Sequence, residues 1–161
     1  MMTPSVEALK TAYGRFPSGV VALCAEVDGD PVGMVASSFS VGVSMEPPLV
    51  MFSVRDRSRT WPVLRGAVGL GVSILGSTHA AAARQLASRR GDRFADLELH
   101  RDADGAIFLE ESPLWLRCRI SAEVPAGDHR IVVLQVDALR VAAEHEPLVY
   151  HASRFHRLAA G

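Results

Sequence analysis

Leu114-Trp115-Leu116-Arg117-Cys118-Arg119-Ile120 alternates with a period of two: Leu114, Leu116, Cys118 and Ile120 fall on one side, Trp115, Arg117 and Arg119 on the other. That period predicts a strand with one buried face and one outward face. Pro125-Ala126-Gly127-Asp128 follows as a turn, and Ile131–Val141 reads as a long second strand. So short a connection joins antiparallel neighbours, because a parallel crossover needs about a dozen residues or more. Upstream, Val20–Val27 closes at Asp28-Gly29-Asp30, a hairpin signal, and Pro31–Ala36 returns. Pro47-Pro48 punctuates before a buried strand over Leu49–Val54. Ala67–Leu75 is a further strand, with Gly69 and Gly71 allowing close backbone approach, and Leu148–His151 is a short last one.

Helices are few. Thr3 as N-cap and Pro4 in the first position open one, with Val6, Leu9, Tyr13 and Phe16 on a single apolar face. Thr60-Trp61-Pro62 starts a short one reaching Arg65, and the alanine-rich stretch His79–Ser88 is a third. The expected fold class is therefore mainly β with peripheral helices, an antiparallel barrel with the helices packed outside.

The 161 residues carry 48% hydrophobic and 22% charged side chains, which fits one globular domain over residues 1–161. A net charge of −1 disfavours nucleic acid or an anionic membrane as partner, and no apolar run reaches the ~20 residues of a membrane helix. The N-terminus lacks the pattern of a secretory signal. Cys24 and Cys118 stand far apart in apolar sequence and read as reduced core thiols of a cytoplasmic protein. Sixteen arginines stand against one lysine, Lys10. Genomic base bias and phosphate binding both produce that skew.

No dinucleotide-binding glycine pattern, P-loop or serine-nucleophile elbow is present. His151 and His156 lie close in sequence but have no third ligand, so no metal is expected. If the chain is an enzyme, its chemistry belongs to a cofactor. Three polar clusters remain. Gly33-Met34-Val35-Ala36-Ser37-Ser38-Phe39-Ser40 offers small residues and hydroxyls to a flat polar ring; taken alone it is first a serine-rich strand end. Ser53-Val54-Arg55-Asp56-Arg57-Ser58-Arg59-Thr60 brings arginines and hydroxyls to a helix start, which suits an anion better than a plain charged loop. Gly127-Asp128-His129-Arg130 is, by itself, a turn, although its histidine can also bond a ligand or move a proton.

In their order along the chain these segments resemble the flavin reductase-like family. The resemblance runs from Phe16-Pro17-Ser18-Gly19-Val20 through Gly33–Phe39, Ser44-Met45-Glu46-Pro47-Pro48-Leu49-Val50 and Ser58-Arg59-Thr60-Trp61-Pro62-Val63-Leu64. It continues through Gly71-Val72-Ser73-Ile74-Leu75 and Gly127-Asp128-His129 to Pro147-Leu148-Val149-Tyr150. It implies an antiparallel split β-barrel of the FMN-binding kind. It also implies an NAD(P)H-dependent reductase of FMN or FAD that supplies reduced flavin to a separate flavin-dependent monooxygenase. Met34, Ala36, Ser37 and Ser38 would line the flavin, and Ser53, Arg55, Ser58 and Thr60 would hold its phosphate. Asp128 and His129 would face the nicotinamide of NADH or NADPH, with His129 the most sensitive side chain, and Arg93-Phe94 looks like an arm over the flavin or adenine. Val35, Ser73 and His79 depart from the threonine, asparagine and glutamine frequent there, and Phe39–Pro47 is one residue longer than the commonest spacing.

A non-catalytic flavin carrier, or another oxidoreductase on the same barrel, are the alternative readings; Gly127-Asp128-His129 argues against the first. A homodimer is expected, with Trp115, Arg117 and Arg119 as a partnered strand face, unless Trp115 packs beneath the N-terminal helix.

Overall fold

A computed structural model describes residues 3–158; both ends of the 1–161 span lie outside the described residues. The chain order is α1 (Val6–Tyr13), β1 (Ser18–Gly19), β2 (Val21–Val27), β3 (Asp30–Ala36), β4 (Ser40–Met45), β5 (Pro48–Arg55), α2 (Trp61–Leu64), β6 (Leu70–Ile74) and α3 (Ala80–Ala87). Then come β7 (Leu99–Arg101), β8 (Ile107–Leu109), β9 (Leu114–Ala126), β10 (His129–Val141), β11 (Leu148–His151) and β12 (Arg154–Arg157). Seven strands make one sheet in the order β3-β2-β6-β9-β10-β5-β4. Every neighbouring pair in it is antiparallel.

Side-chain alternation on β2 explains the architecture. Val21, Leu23 and Ala25 point into a core shared with Phe52, Trp61, Val72, Leu116 and Leu134, inside the curled sheet. Val20, Ala22 and Cys24 point the other way, under Ala83 and Leu86 of α3 and Ile107 and Leu109 of β8. A strand buried on both faces reads as a continuous apolar run, and residues 20–25 do so. The 28–29 turn holds Asp28 and Gly29 at φ 54° and 86°, which a two-residue hairpin demands. Burial pushes the Cys24 and Cys118 thiols up to about 12, so both stay protonated.

Several expectations change. The cap of α1 is Ser5, whose hydroxyl accepts from the Ala8 N–H, and not Thr3. The apolar face of α1 is left in solvent: Val6, Tyr13 and Phe16 are all at least 70% exposed. Trp115 is buried, not outward, and the hairpin β7–β8 covers it rather than the N-terminal helix. Its indole stacks on Phe108 and His100 and donates to the Leu109 carbonyl at 2.8 Å. Arg117 pairs with Asp102 and Asp104, and Arg119 with Asp137, so neither presents a free cation. The turn narrows to Gly127-Asp128 because β9 runs on through Ala126. Pro125 is tolerated there because β6 pairs with β9 only from Leu114 to Cys118, leaving one side open. The stretch 39–47 holds β4, and its surplus length is taken up by an irregularity between Ser40 and Ser44, with Gly42 at φ 68°. The C-terminal segment adds a strand, β12, against β11.

At the β6–α3 turn the Gly76 N–H donates to His79 Nδ1 at 2.9 Å. Burial holds that imidazole below its usual pKa, so the nitrogen keeps its lone pair. Gly71 is a contact point: a Cβ there would stand 2.1 Å from the Ile107 carbonyl oxygen, whereas Gly69 leaves ordinary van der Waals room. Gly71→Ala should lower stability by about 1–3 kcal/mol through overpacking, and Gly69→Ala by much less. Thermal unfolding followed by circular dichroism measures both.

Candidate functional site

The barrel does not close by a ladder. The ladder of β3 against β2 ends with Ala36 opposite Val21, and β5 pairs with β10 and β4. Where β3 runs out beside β5, the Ser38 hydroxyl bridges them: it donates to the Ser53 carbonyl at 2.9 Å and accepts from the Ser53 N–H at 3.1 Å. A hydroxyl has one proton, and Ser38 gives its own to Ser53. Ser38 thus fastens two strand edges and keeps only acceptor capacity for a ligand.

A cleft of about 1010 Å³ opens at this split. Met34 to Ser38 form one wall, Ser53 to Arg55 and the loop Arg57 to Thr60 a second, and Leu86 to Arg89 with Gly91 and Arg93 the wall opposite, while His129 completes the lining. Ten residues singled out in the sequence therefore come together: Met34, Ala36, Ser37, Ser38, Ser53, Arg55, Ser58, Thr60, Arg93 and His129.

Two do not line it. Phe94 packs over Gly33 so closely that a Cβ at Gly33 would lie 2.8 Å from its ring; it is partly buried against the cluster under α3, while its neighbour Arg93 reaches the cleft. Asp128 has a 91% exposed side chain outside the cleft. Its role is on His129: Oδ1 lies 2.7 Å from Nδ1. A carboxylate accepts, so Nδ1 carries the proton and Nε2 is left for a ligand. That hydrogen bond, then the imidazole charge, holds the Asp128 carboxyl below the usual carboxylate range; Arg55 adds to it. His129 sits directly opposite Arg55 on the β10–β5 ladder, so the histidine and the arginine loop share one rigid register.

The wall 86–91 escaped the sequence reading. Its signal, Arg89-Arg90 after an alanine-rich helix, is also what an ordinary helix end looks like.

Charge defines the cleft. Arg55, Arg57, Arg59, Arg89 and Arg93 line it and no carboxylate does. Among the described residues Arg65, Arg101, Arg117, Arg119, Arg130 and Arg140 each have a carboxylate within 4 Å, while none of the five cleft arginines does. Guanidinium groups facing one cavity without a carboxylate partner fit phosphate oxygens, although Arg93 Nη1 also donates to the Leu86 carbonyl at 3.5 Å. The hydroxyl of Ser58 accepts from the Trp61 N–H at 3.1 Å and keeps its proton to donate. Ser58, not Thr60, thereby caps α2, which is a single turn, so the anion chemistry lies in side chains rather than in a helix dipole. Small residues at 36–38, donors around them and a cationic loop together fit a phosphorylated planar cofactor such as a flavin nucleotide.

The flavin reductase-like domain matches residues 13–159. The reductase component of 4-hydroxyphenylacetate 3-monooxygenase from Thermus thermophilus is 40% identical over 94% of this chain and 96% of its own length. An NADH:FMN oxidoreductase of Rhodococcus qingshengii is 33% identical over 92% of this chain and 79% of its own. The structure of the NADH:FAD oxidoreductase of Streptomyces globisporus C-1027, in complex with NAD and FAD fragments, superimposes with a TM-score of 0.91 at 28% identity, covering 99% of this chain and 96% of that one. The split barrel, the carboxylate-free cleft and these likenesses agree: the chain belongs to the flavin reductase-like family.

Proposed function

We propose a division of labour in which the cleft arginine loop binds flavin by its phosphate and His129 aligns the nicotinamide nucleotide. The chain is an NAD(P)H-dependent flavin reductase. Bound in the cleft, FMN or FAD supplies a ring that accepts hydride from NADH or NADPH. The observation that carries this reading is the lining of five unpaired arginines with no carboxylate beside a His129 that Asp128 orients. Arg55, Ser53, Ser58 and Thr60 take the phosphate. Met34, Ala36 and the amides of Ser37 and Ser38, which lie beyond the β2 ladder, border the ring. No side-chain nucleophile is needed; the residues bind, orient and shield. The reduced flavin passes to a separate monooxygenase; the Thermus relative is named the reductase component of such a monooxygenase, which supports this reading.

The chain works as one domain and as a homodimer. Three exposed apolar groups support the dimer: Val6, Tyr13 and Phe16 around α1, Val41, Val43 and Met45 on the edge strand β4, and Val124, Leu139 and Val141 on the arms of β9 and β10. An edge strand with such side chains needs cover. No helix among the described residues is long and apolar enough to cross a membrane. The two buried, unpaired thiols suit the reducing cytoplasm.

Three measurements test this. Arg55→Ala should weaken FMN binding by about 1.5–3 kcal/mol and leave riboflavin, which has no phosphate, unaffected. Equal losses for the two would remove Arg55 from the phosphate site. His129→Ala should leave flavin affinity nearly unchanged while kcat/KM for NADH falls on the order of 100-fold from misplacement of the reacting ring. A folded His129→Ala protein with wild-type efficiency would instead favour a flavin carrier. Analytical ultracentrifugation at micromolar concentration should give twice the 17.3 kDa chain mass; a monomer refutes the dimer.

A further inference from the structure

One residue of the phosphate loop is out of keeping with its neighbours. Asp56 stands between Arg55 and Arg57 in sequence but forms an ion pair with neither. Its Oδ1 lies 3.1 Å from Arg130 Nε. The Asp56 N–H is also bound, to the Asp128 carbonyl at 3.1 Å. Arg130 faces a second carboxylate: its Nη1 lies 3.8 Å from Glu123 Oε2, an ion-pair distance without a hydrogen bond. Glu123, one-tenth exposed, accepts from Trp61 Nε1–H at 3.3 Å and lies 3.4 Å from Arg65 Nε. None of Asp56, Glu123, Arg65 and Arg130 lines the cleft.

We propose that Arg130, set between the carboxylates of Asp56 and Glu123, is a positioning residue that draws the Asp56 carboxylate out of the cleft, so that the loop arginines stay free for the ligand phosphate. The inference rests on reading residues 53–60 as the phosphate site. In it Arg130 touches neither flavin nor nicotinamide. Without Arg130 the Asp56 carboxylate becomes an internal competitor, able to pair with Arg55, Arg57 or Arg59 in place of a phosphate.

Competition of this kind has a signature that loss of structure lacks: removing the competitor should restore binding. In Arg130→Met the KM for FMN should rise about three- to fivefold while that for riboflavin moves less than about 1.5-fold. Asp56→Asn alone should leave the FMN KM at or below the wild-type value. The double variant Asp56→Asn/Arg130→Met should bring the FMN KM back to within about twofold of wild type. If Arg130→Met does not fold, as judged by circular dichroism, Arg130→Gln carries the same comparison. A double variant as impaired as Arg130→Met overturns the proposal, as does an Arg130 variant that shifts FMN and riboflavin alike or shifts neither. Arg55→Ala is run alongside. If it too fails to separate FMN from riboflavin, the phosphate reading itself has failed; if it separates them and Arg130 does not, only the present inference has.

Discussion

Between the end of β3 and the middle of β5 the main chain forms no ladder, and a single hydroxyl, that of Ser38, ties the edges together through both polar groups of Ser53. Everything functional follows from that incomplete closure. A closed barrel of this size fills its interior with side chains. Here the interior is filled, by Phe52, Trp61, Leu116 and their neighbours, and the space for a ligand lies instead at the seam. The seam is roofed by the end of α3, which can lie there because β2 is apolar on its outer face as well as its inner one.

Register then does the work that a catalytic triad does elsewhere. His129 and Arg55 are cross-strand partners, and the Asp56 amide is bound to the Asp128 carbonyl. The histidine and the arginine that line the cleft are thus set on one pleated surface, with a spacing that side-chain motion alters little. Hydride transfer between two rings needs alignment more than it needs proton chemistry, and a rigid ladder supplies alignment.

Much of this was legible in the sequence, and the exceptions have physical reasons. The period-two alternation at 114–120, the Asp28-Gly29 turn and the apolar run 20–25 each report a local constraint that the backbone must satisfy. Trp115 was misplaced because alternation says only that a side chain is on the second face. Whether that face meets water depends on β7 and β8, three-residue strands too short to carry a period. The same limit hid the wall at residues 86–91, whose role arises from proximity to the 55–60 loop across the cleft. Phe94 and Asp128 show the converse. The motifs that contain them reach the cleft through Arg93 and His129, while Phe94 itself packs partly buried under α3 and Asp128 turns into solvent, and one-dimensional spacing does not encode that rotation. Ser38 was found, yet its bonds make it chiefly a fastener of the fold.

The segregation of charge has a consequence at a distance. Five positive groups face one cleft in a chain whose net charge is −1, so the rest of the surface is negative on balance. The mouth of the seam is therefore a local concentration of positive charge in a chain that is close to neutral. An anionic nucleotide is drawn toward that mouth, which raises the fraction of encounters that arrive at the cleft. That focusing acts over about a Debye length, ~8 Å at physiological ionic strength, so the speed of capture should vary with salt even where the contacts in the bound complex do not.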